Sequence, residues 1–187
     1  CNGEIYNYRS LKYDLERSGH RFATKSDSEV IVHAYEENGP EFVKNLNGMF
    51  GLAIWDAARC LLLLARDPLG IKPVYYVEKD GKFAFASEIK ALLALPFISC
   101  EVDEEALDLY LTFRFVPSPR TLFRGIRKLG PGEMLIKVRQ TGGEPLKYAP
   151  PPPLPETGID ADEWMAGTIA ELRQAVRRQM MGDVPVG

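Results

Sequence analysis

The sequence predicts an α+β fold, helices set against antiparallel strands, and three observations carry that prediction. Between residues 49 and 86 the chain runs in short apolar or alternating segments separated by brief turns, the pattern of antiparallel hairpins. On either side, apolar residues recur at helical spacing. A proline-rich run near residue 150 then separates these elements from one last amphipathic helix.

Taken in order, Asn2-Gly3-Glu4 close an opening strand. Tyr8–Ser18 places Tyr8, Leu11 and Leu15 on one helical face, with Gly19 as its stop. Ser26-Asp27-Ser28-Glu29 has the form of a capping box before the apolar run Val30–Val32, so a second helix is expected to about Glu37, ending at Asn38-Gly39. Met49–Trp55, Cys60–Ala65, Val74–Glu78 and Phe83–Ala86 read as strands of a meandering sheet. Their turns are Asp56–Arg59, Asp67–Gly70 and Lys79–Lys82, and Phe50, Trp55, Tyr76 and Phe85 read as core. Ser87–Leu95 reads as a helix stopped by Pro96, and Asp103 as the cap of another over Glu104–Phe113. Met134–Val138 is expected to be the last strand, turned by Thr141-Gly142-Gly143. Pro150–Pro153 and Pro155 exclude helix and central strand. Residues 1–148 therefore form the main domain, 149–159 a linker, and 160–187 the start of a second domain. In that last segment Trp164, Ile169, Leu172, Val176 and Met180 make an apolar face over Asp162–Met181 with no partner layer left in the chain.

A net charge of −3 excludes a nucleic-acid binder of the basic kind. Arg120, Arg124, Arg127 and Lys128 are broken by Leu122, Phe123 and Ile126 and read as a solvated face. Cys1, Cys60 and Cys100 fit neither a zinc pattern nor a disulfide framework, which points to a reducing, cytoplasmic compartment. No apolar run approaches membrane-spanning length. His20 and His33 stand isolated, in no metal-ligand spacing, and read as boundary residues; no metal site is expected. An opening on Cys-Asn-Gly-Glu, without an initiator Met, suggests a piece of a longer protein.

One constellation carries chemistry. An Asn side-chain amide followed by a Gly N–H offers two donors to one point, which suits an oxyanion formed in acyl transfer; Asn2-Gly3 has that form. Glycine also lets a ligand approach the backbone closely. Glu4 and Asp27 are two carboxylates that could share an ammonium group. The plainer readings stand beside these: Asn-Gly is a common turn signal, and Asp27 could be only a helix cap.

Asn2-Gly3-Glu4-Ile5-Tyr6-Asn7-Tyr8 resembles a motif of the glutaminase domain of glutamine-hydrolysing asparagine synthetases. The resemblance continues in order through Ser26–Glu29, Gly48–Asp56, Arg66–Tyr76, Ser87–Lys90, Pro119–Phe123 and Asp183–Gly187. It implies an N-terminal-nucleophile-type sandwich of antiparallel sheets flanked by helices, incomplete here, followed by the first helix of an α/β ATP-pyrophosphatase-type synthetase domain. It further implies hydrolysis of glutamine to glutamate and ammonia, with Asn2 and Gly3 as the oxyanion hole and Glu4 and Asp27 as contacts to the substrate's ammonium group. Arg66, Asp67, Lys72, Tyr75, Glu88 and Lys90 in the other blocks read as architecture.

In this family an N-terminal Cys is the nucleophile, its own α-amino group acting as base. Cys1 is nonetheless not expected to be that residue. The family's nucleophile sits in a Cys-Gly-Ile-x-Gly context upstream of Asn-Gly-Glu, whereas Cys1 directly precedes Asn2. Neighbours on a strand also point to opposite faces, so one carbonyl could not easily meet both. The nucleophile, an upstream arginine segment and the pyrophosphate loop beyond Asp183–Gly187 are all expected outside this chain, and the piece alone is expected to be inactive. The family's usual Tyr-Trp is here Tyr148-Ala149.

The parent protein is thus expected to make asparagine from aspartate, ATP and glutamine-derived ammonia, with ATP and Mg²⁺ held by its second domain. The expected partners are small molecules (glutamine, aspartate and ATP), with neither nucleic acid nor membrane, and open sheet edges leave room for a homodimer. Two other readings stand beside it: a relative that amidates another carboxylate, and a non-catalytic glutaminase-like binding module.

Overall fold

Two antiparallel sheets organise the chain, as the resemblance implies, where the local strand pattern alone suggested one meander. The computed structural model describes residues 1–139, 143–150, 158 and 160–180. In chain order these are β1 (Asn2–Ile5), α1 (Tyr8–Arg17), α2 (Glu29–Asn38), a 3-10 turn (Gly39–Asn45), β2 (Gly48–Asp56), β3 (Leu61–Arg66), β4 (Tyr75–Lys79) and β5 (Lys82–Ala86). There follow α3 (Ile89–Leu93), α4 (Glu104–Phe113), β6 (Ile126–Lys128), β7 (Glu133–Val138), β8 (Leu146–Lys147) and α5 (Ala161–Gln179). The first sheet has the order β1-β2-β3-β7-β8 and the second β5-β4-β6.

The layering follows from the pleat, which sends successive side chains to opposite faces. Along β3, Leu61, Leu63 and Ala65 join Phe50 and Leu52 of β2 against Leu15, Val30, Ile31, Phe42 and Val43 of the helical layer. Leu64 points the other way, to Leu135 of β7, Tyr76 of β4 and Leu129, and so joins the two sheets. Beyond the second sheet, Val77 and Ile126 pack on Leu92 of α3. A strand buried on both faces needs a nearly unbroken apolar run, and Leu61–Ala65 supplies it.

The meander divides at the turn after β3. Asp67 is fully buried. Its carboxylate accepts from the N–H groups of Leu69 at 3.1 Å, Ile71 at 2.9 Å, Lys72 at 2.9 Å and Phe50 at 3.3 Å. Beside it, the buried Arg66 guanidinium donates to the carbonyls of Lys72, Gly70 and Leu129. Burial pushes this guanidinium below its ordinary pKa, and Asp67 pulls it back up. Tyr148 closes the cluster, its hydroxyl donating to the Arg66 carbonyl at 2.7 Å. These bonds fold residues 67–72 back on themselves and send Tyr75 into the second sheet.

Other expectations change for local reasons. The capping box does not close: Ser26 Oγ accepts from the Ser28 N–H at 3.2 Å, but Glu29 does not reach back to Ser26. Glu29 instead accepts from the Ala23 and Thr24 N–H groups and the Thr24 hydroxyl. Trp55 and Phe85 are 62% and 42% exposed, against the reading of both as core. Trp55 shares its β2 face with Gly51, which Val74 covers, but runs past the covered part; Phe85 lies on the edge strand of the second sheet. The helix expected over Ser87–Leu95 shortens to α3. β6 and β8 are only three and two residues long, too short to leave a period in the sequence.

Asp103 does cap α4, accepting from the Ala106 N–H at 3.1 Å. The basic residues nearby are paired, Arg120 with Asp103 and Glu105, Arg124 with Glu101 and Arg127 with Glu144. Helix α5 buries none of its residues, leaving its apolar stripe exposed. No described helix is long and apolar enough to cross a membrane. Thr141-Gly142, Pro151–Pro153, Pro155 and Asp183–Gly187 lie outside the described residues.

Two outcomes are expected. Asp67→Ala strands several N–H donors and leaves Arg66 uncompensated, so it should cost about 3–5 kcal/mol in urea unfolding, as breaking a buried charged pair does; a loss below about 1 kcal/mol would show that the turn is held otherwise. For pH, Glu29 is held down at about 2, chiefly by the Thr24 hydroxyl and the Ala23 N–H. Asp103 is lowered chiefly by the Ala106 N–H. Depressed folded-state values mean stability that is complete above the unfolded carboxylate range and lost as pH falls, for Glu29 from about 4.5 towards 2. Thermal melts across that window should show the loss, and Glu29→Gln should make it shallower.

Candidate functional site

Strand β1 lies at the edge of the five-stranded sheet, pairing Asn2 with Gly51, Gly3 with Phe50, Glu4 with Met49 and Ile5 with Gly48. Ile5 is fully buried and anchors the strand in the core. By the pleat, Asn2 and Glu4 then share the opposite face, where both are exposed. The two strands approach so closely that only glycine fits at two positions. A Cβ on Gly3 would lie 1.9 Å from the Met49 carbonyl oxygen, and one on Gly48 would lie 2.1 Å from that of Glu4. Gly3 also holds a φ of 147°, which L side chains rarely adopt.

Asp27 reaches this strand from the start of α2. The Ile5 N–H donates to its Oδ2 at 2.8 Å. That N–H therefore points away from β2, whereas the next one, of Tyr6, donates to the Asn47 carbonyl at 2.8 Å. Backbone groups alternate along an edge strand, so the Gly3 N–H faces the same open edge as the Ile5 N–H. Asp27 is thus a strand contact and not the cap of α2. Among the described residues its Oδ1 has only the Ser28 hydroxyl at 3.5 Å, which leaves lone pairs to offer a ligand.

Asn7 fixes how the chain leaves this strand. Its Nδ2 donates to the Asn45 carbonyl at 2.8 Å and its Oδ1 accepts from the Asn47 N–H at 2.9 Å. The sequence gives Asn7 no separate role; only its partners, 38 and 40 residues away, reveal it as a clamp between β1 and β2. Cys1 is exposed and precedes Asn2 directly, and all three cysteines are free thiols. A cleft of about 500 Å³ opens at Tyr6, Asn7, Arg9, Ser10, Asn47 and Arg178, beyond Ile5 and apart from Asn2, Gly3, Glu4 and Asp27. Arg66, Asp67, Glu88 and Lys90 keep the architectural roles expected of them: a buried turn, the residue before α3, and the Glu88–Lys90 ion pair. His20 and His33, expected to be isolated, meet with their Nδ1 atoms 3.1 Å apart.

The arrangement sets the Asp27 carboxylate on the open edge that the Gly3 N–H faces, with Asn2 and Glu4 together on the exposed face of the same strand. It suits a polar substrate carrying a cationic group and a carbonyl that becomes an oxyanion.

Residues 1–149 match the glutamine amidotransferase domain model. The chain is similar to glutamine-hydrolysing asparagine synthetase 3 of Bacillus subtilis (strain 168), 38% identical over 186 residues, 99% of this chain and 30% of that protein. Asparagine synthetase 1 of the same organism is 37% identical over 186 residues, 100% of this chain and 29% of that protein. The chain therefore spans about 30% of the length of these curated relatives. Among solved structures, glutamine phosphoribosylpyrophosphate amidotransferase from B. subtilis, complexed with ADP and GMP, superposes with a TM-score of 0.52 at 24% identity, over 79% of this chain and 28% of that one. The allosteric regulatory enzyme of purine biosynthesis gives a TM-score of 0.52 at 25% identity, over 79% of this chain and 27% of that one. These likenesses bear out the α+β sandwich of N-terminal-nucleophile type.

Gly3→Ala should force β1 away from β2. The expected result is a stability loss of about 1–3 kcal/mol from backbone strain, together with faster hydrogen exchange at Ile5 and Tyr6; an unchanged exchange pattern would count against the close approach.

Proposed function

The chain belongs to the glutamine amidotransferase domain family, and from that premise we propose that it is the glutaminase portion of a glutamine-dependent asparagine synthetase. The observation that carries the site assignment is the 2.8 Å bond from the Ile5 N–H to Asp27, which sets a carboxylate on the same open edge as the Gly3 N–H. In the proposed reaction a thiolate attacks the side-chain amide carbon of glutamine. The carbonyl oxygen takes up the electron pair and is received by the Asn2 side-chain amide and the Gly3 N–H. Ammonia departs with an added proton, leaving a thioester that water hydrolyses to glutamate. Glu4 and the Oδ1 of Asp27 hold the substrate ammonium group, which fixes the amide carbon relative to the two donors.

In this proposal the thiolate is not that of Cys1, which directly precedes Asn2 just outside β1, where one carbonyl could not easily meet both its thiol and the Asn2 amide. On this reading the attacking cysteine belongs to the whole protein outside these residues, and the 187-residue chain alone is inactive. The family match ends at residue 149 and the buried contacts end with Tyr148 and Ala149. Both support a glutaminase domain that runs to residue 149, one residue past the expected boundary; a linker to 159 and the start of a synthetase domain from 160, to which the exposed apolar stripe of α5 would dock, complete the proposal. ATP and Mg²⁺ belong to that second domain. Among the described residues, α4 and α5 begin on the carboxylates of Asp103 and Asp160 and Glu88 precedes α3, so these three helix starts do not invite a triphosphate. Aspartate as acceptor rests on the similarity to the two asparagine synthetases. Free thiols support a cytoplasmic setting.

The test uses the full-length protein. Asn2→Ala should lower kcat for glutamine hydrolysis about 10²–10³-fold, as loss of one oxyanion donor does, while synthesis from added ammonia persists. Asp27→Asn should instead raise KM for glutamine. Equal loss of both ammonia- and glutamine-dependent synthesis in Asn2→Ala would remove the oxyanion assignment. Ammonia release by the isolated chain above background would defeat the exclusion of Cys1.

A further inference from the structure

We propose that His20, His33 and Glu36 form a binding site for a divalent transition-metal cation, Zn²⁺ being the best fit, which cross-links the segment after α1 to α2. The two Nδ1 atoms are 3.1 Å apart, and Glu36 Oε2 lies 3.6 Å from that of His20 and 3.4 Å from that of His33. Two ligands each about 2.0–2.2 Å from zinc at a tetrahedral angle stand about 3.3–3.6 Å apart. The three donor atoms therefore already outline one face of such a site, leaving the fourth position to water. Two imidazoles and a carboxylate are a donor set suited to Zn²⁺.

The outer groups make the stronger case. His20 Nε2 lies 3.1 Å from Glu37 Oε2 and His33 Nε2 lies 3.6 Å from Glu29 Oε1. Each imidazole thus aims one nitrogen at its fellow and the other at a carboxylate. With neither a metal ion nor an added proton, two neutral rings cannot satisfy this arrangement. One Nδ1 must carry the proton to bond the other, and that ring then turns a bare Nε2 lone pair towards its carboxylate. With a cation between the Nδ1 atoms, both rings carry the proton on Nε2, and each points it at a carboxylate, the orienting contact common around metal-bound histidines. Both rings are largely sheltered, at 15% and 17% exposure, while Glu36 at 56% leaves an entry from solvent. Phe22 closes the other side, its ring centroid 4.3 Å from that of His33.

The site is independent of the glutaminase reading. Its ligands span the segment from α1 to α2 that contains Asp27, so a bound ion would stiffen the stretch that positions this residue. Free thiols also bind zinc, so the experiment uses the full-length protein with Cys1, Cys60, Cys100 and every cysteine outside these residues, the attacking one included, replaced by Ser. The probe is the metal alone: Zn²⁺ by calorimetry and Co²⁺ by its visible absorption. One equivalent should bind at this site, with a tetrahedral cobalt spectrum lacking a thiolate band and a rise in Tm. Glu36→Gln, at an exposed position that should fold normally, should lose the spectrum and the Tm rise. Glu37→Gln should weaken zinc about 10–100-fold, as removing an orienting partner does. Binding unchanged in both Glu36→Gln and His33→Ala, or an octahedral cobalt spectrum identical in wild type and Glu36→Gln, would overturn the proposal.

Discussion

A carboxylate buried at residue 67 is the constraint on which this architecture turns. Four backbone N–H groups converge on it, three from the turn that follows β3 and one from Phe50 in β2. A buried charge is tolerable only when its lone pairs are filled and a counter-charge is close, and Arg66 supplies the second condition. The guanidinium in turn satisfies three carbonyls, and the Arg66 carbonyl is taken by Tyr148. Residues 82 positions apart are thereby fixed together, and the chain crosses from one sheet to the other at a set place.

That crossing determines how β3 is used. With a sheet on one side and helices on the other, Leu63 and Leu64 are buried on opposite faces, and the strand cannot shift by one residue without exchanging them. β2 inherits its register from β3, and β1 inherits its own from β2. The glycines at 3 and 48 allow the outer pair to close, and Asp27 secures β1 from its free side. The candidate site is therefore an edge held in register by a core several strands away. A substrate meets donors that are already placed, which is how a preorganised site avoids reorganisation as charge develops.

The helical layer adds a second polar device. Glu29 organises the loop before α2 by accepting from residues 23 and 24, and it also lies near His33. Phe22, Lys12 and the two histidines pack over the same turn. The approach to Asp27 is thus shaped by polar groups as much as by apolar burial.

Much of this was legible in the sequence. Period gave α1, α5 and the long strands, and cap and stop residues gave α2 and α4; all but α5, whose apolar stripe stays exposed, bury the apolar residues that marked them. The Asp80-Gly81 turn between β4 and β5 was legible too, since both residues take positive φ and the residue types favour it. The ordered motifs named the family and singled out Asn2, Gly3, Glu4 and Asp27. Only the tertiary structure decided the rest. Asp27 read locally as a helix cap, yet its partner is Ile5, 22 residues earlier. His20 and His33, 13 residues apart, met through the packing of a loop on a helix. Trp55 looked like core and is exposed, because covering a face depends on how far the neighbouring sheet extends. The sequence records what each residue prefers within a few positions of itself. Which distant group satisfies a carboxylate or an imidazole is settled only when the strands and helices have packed.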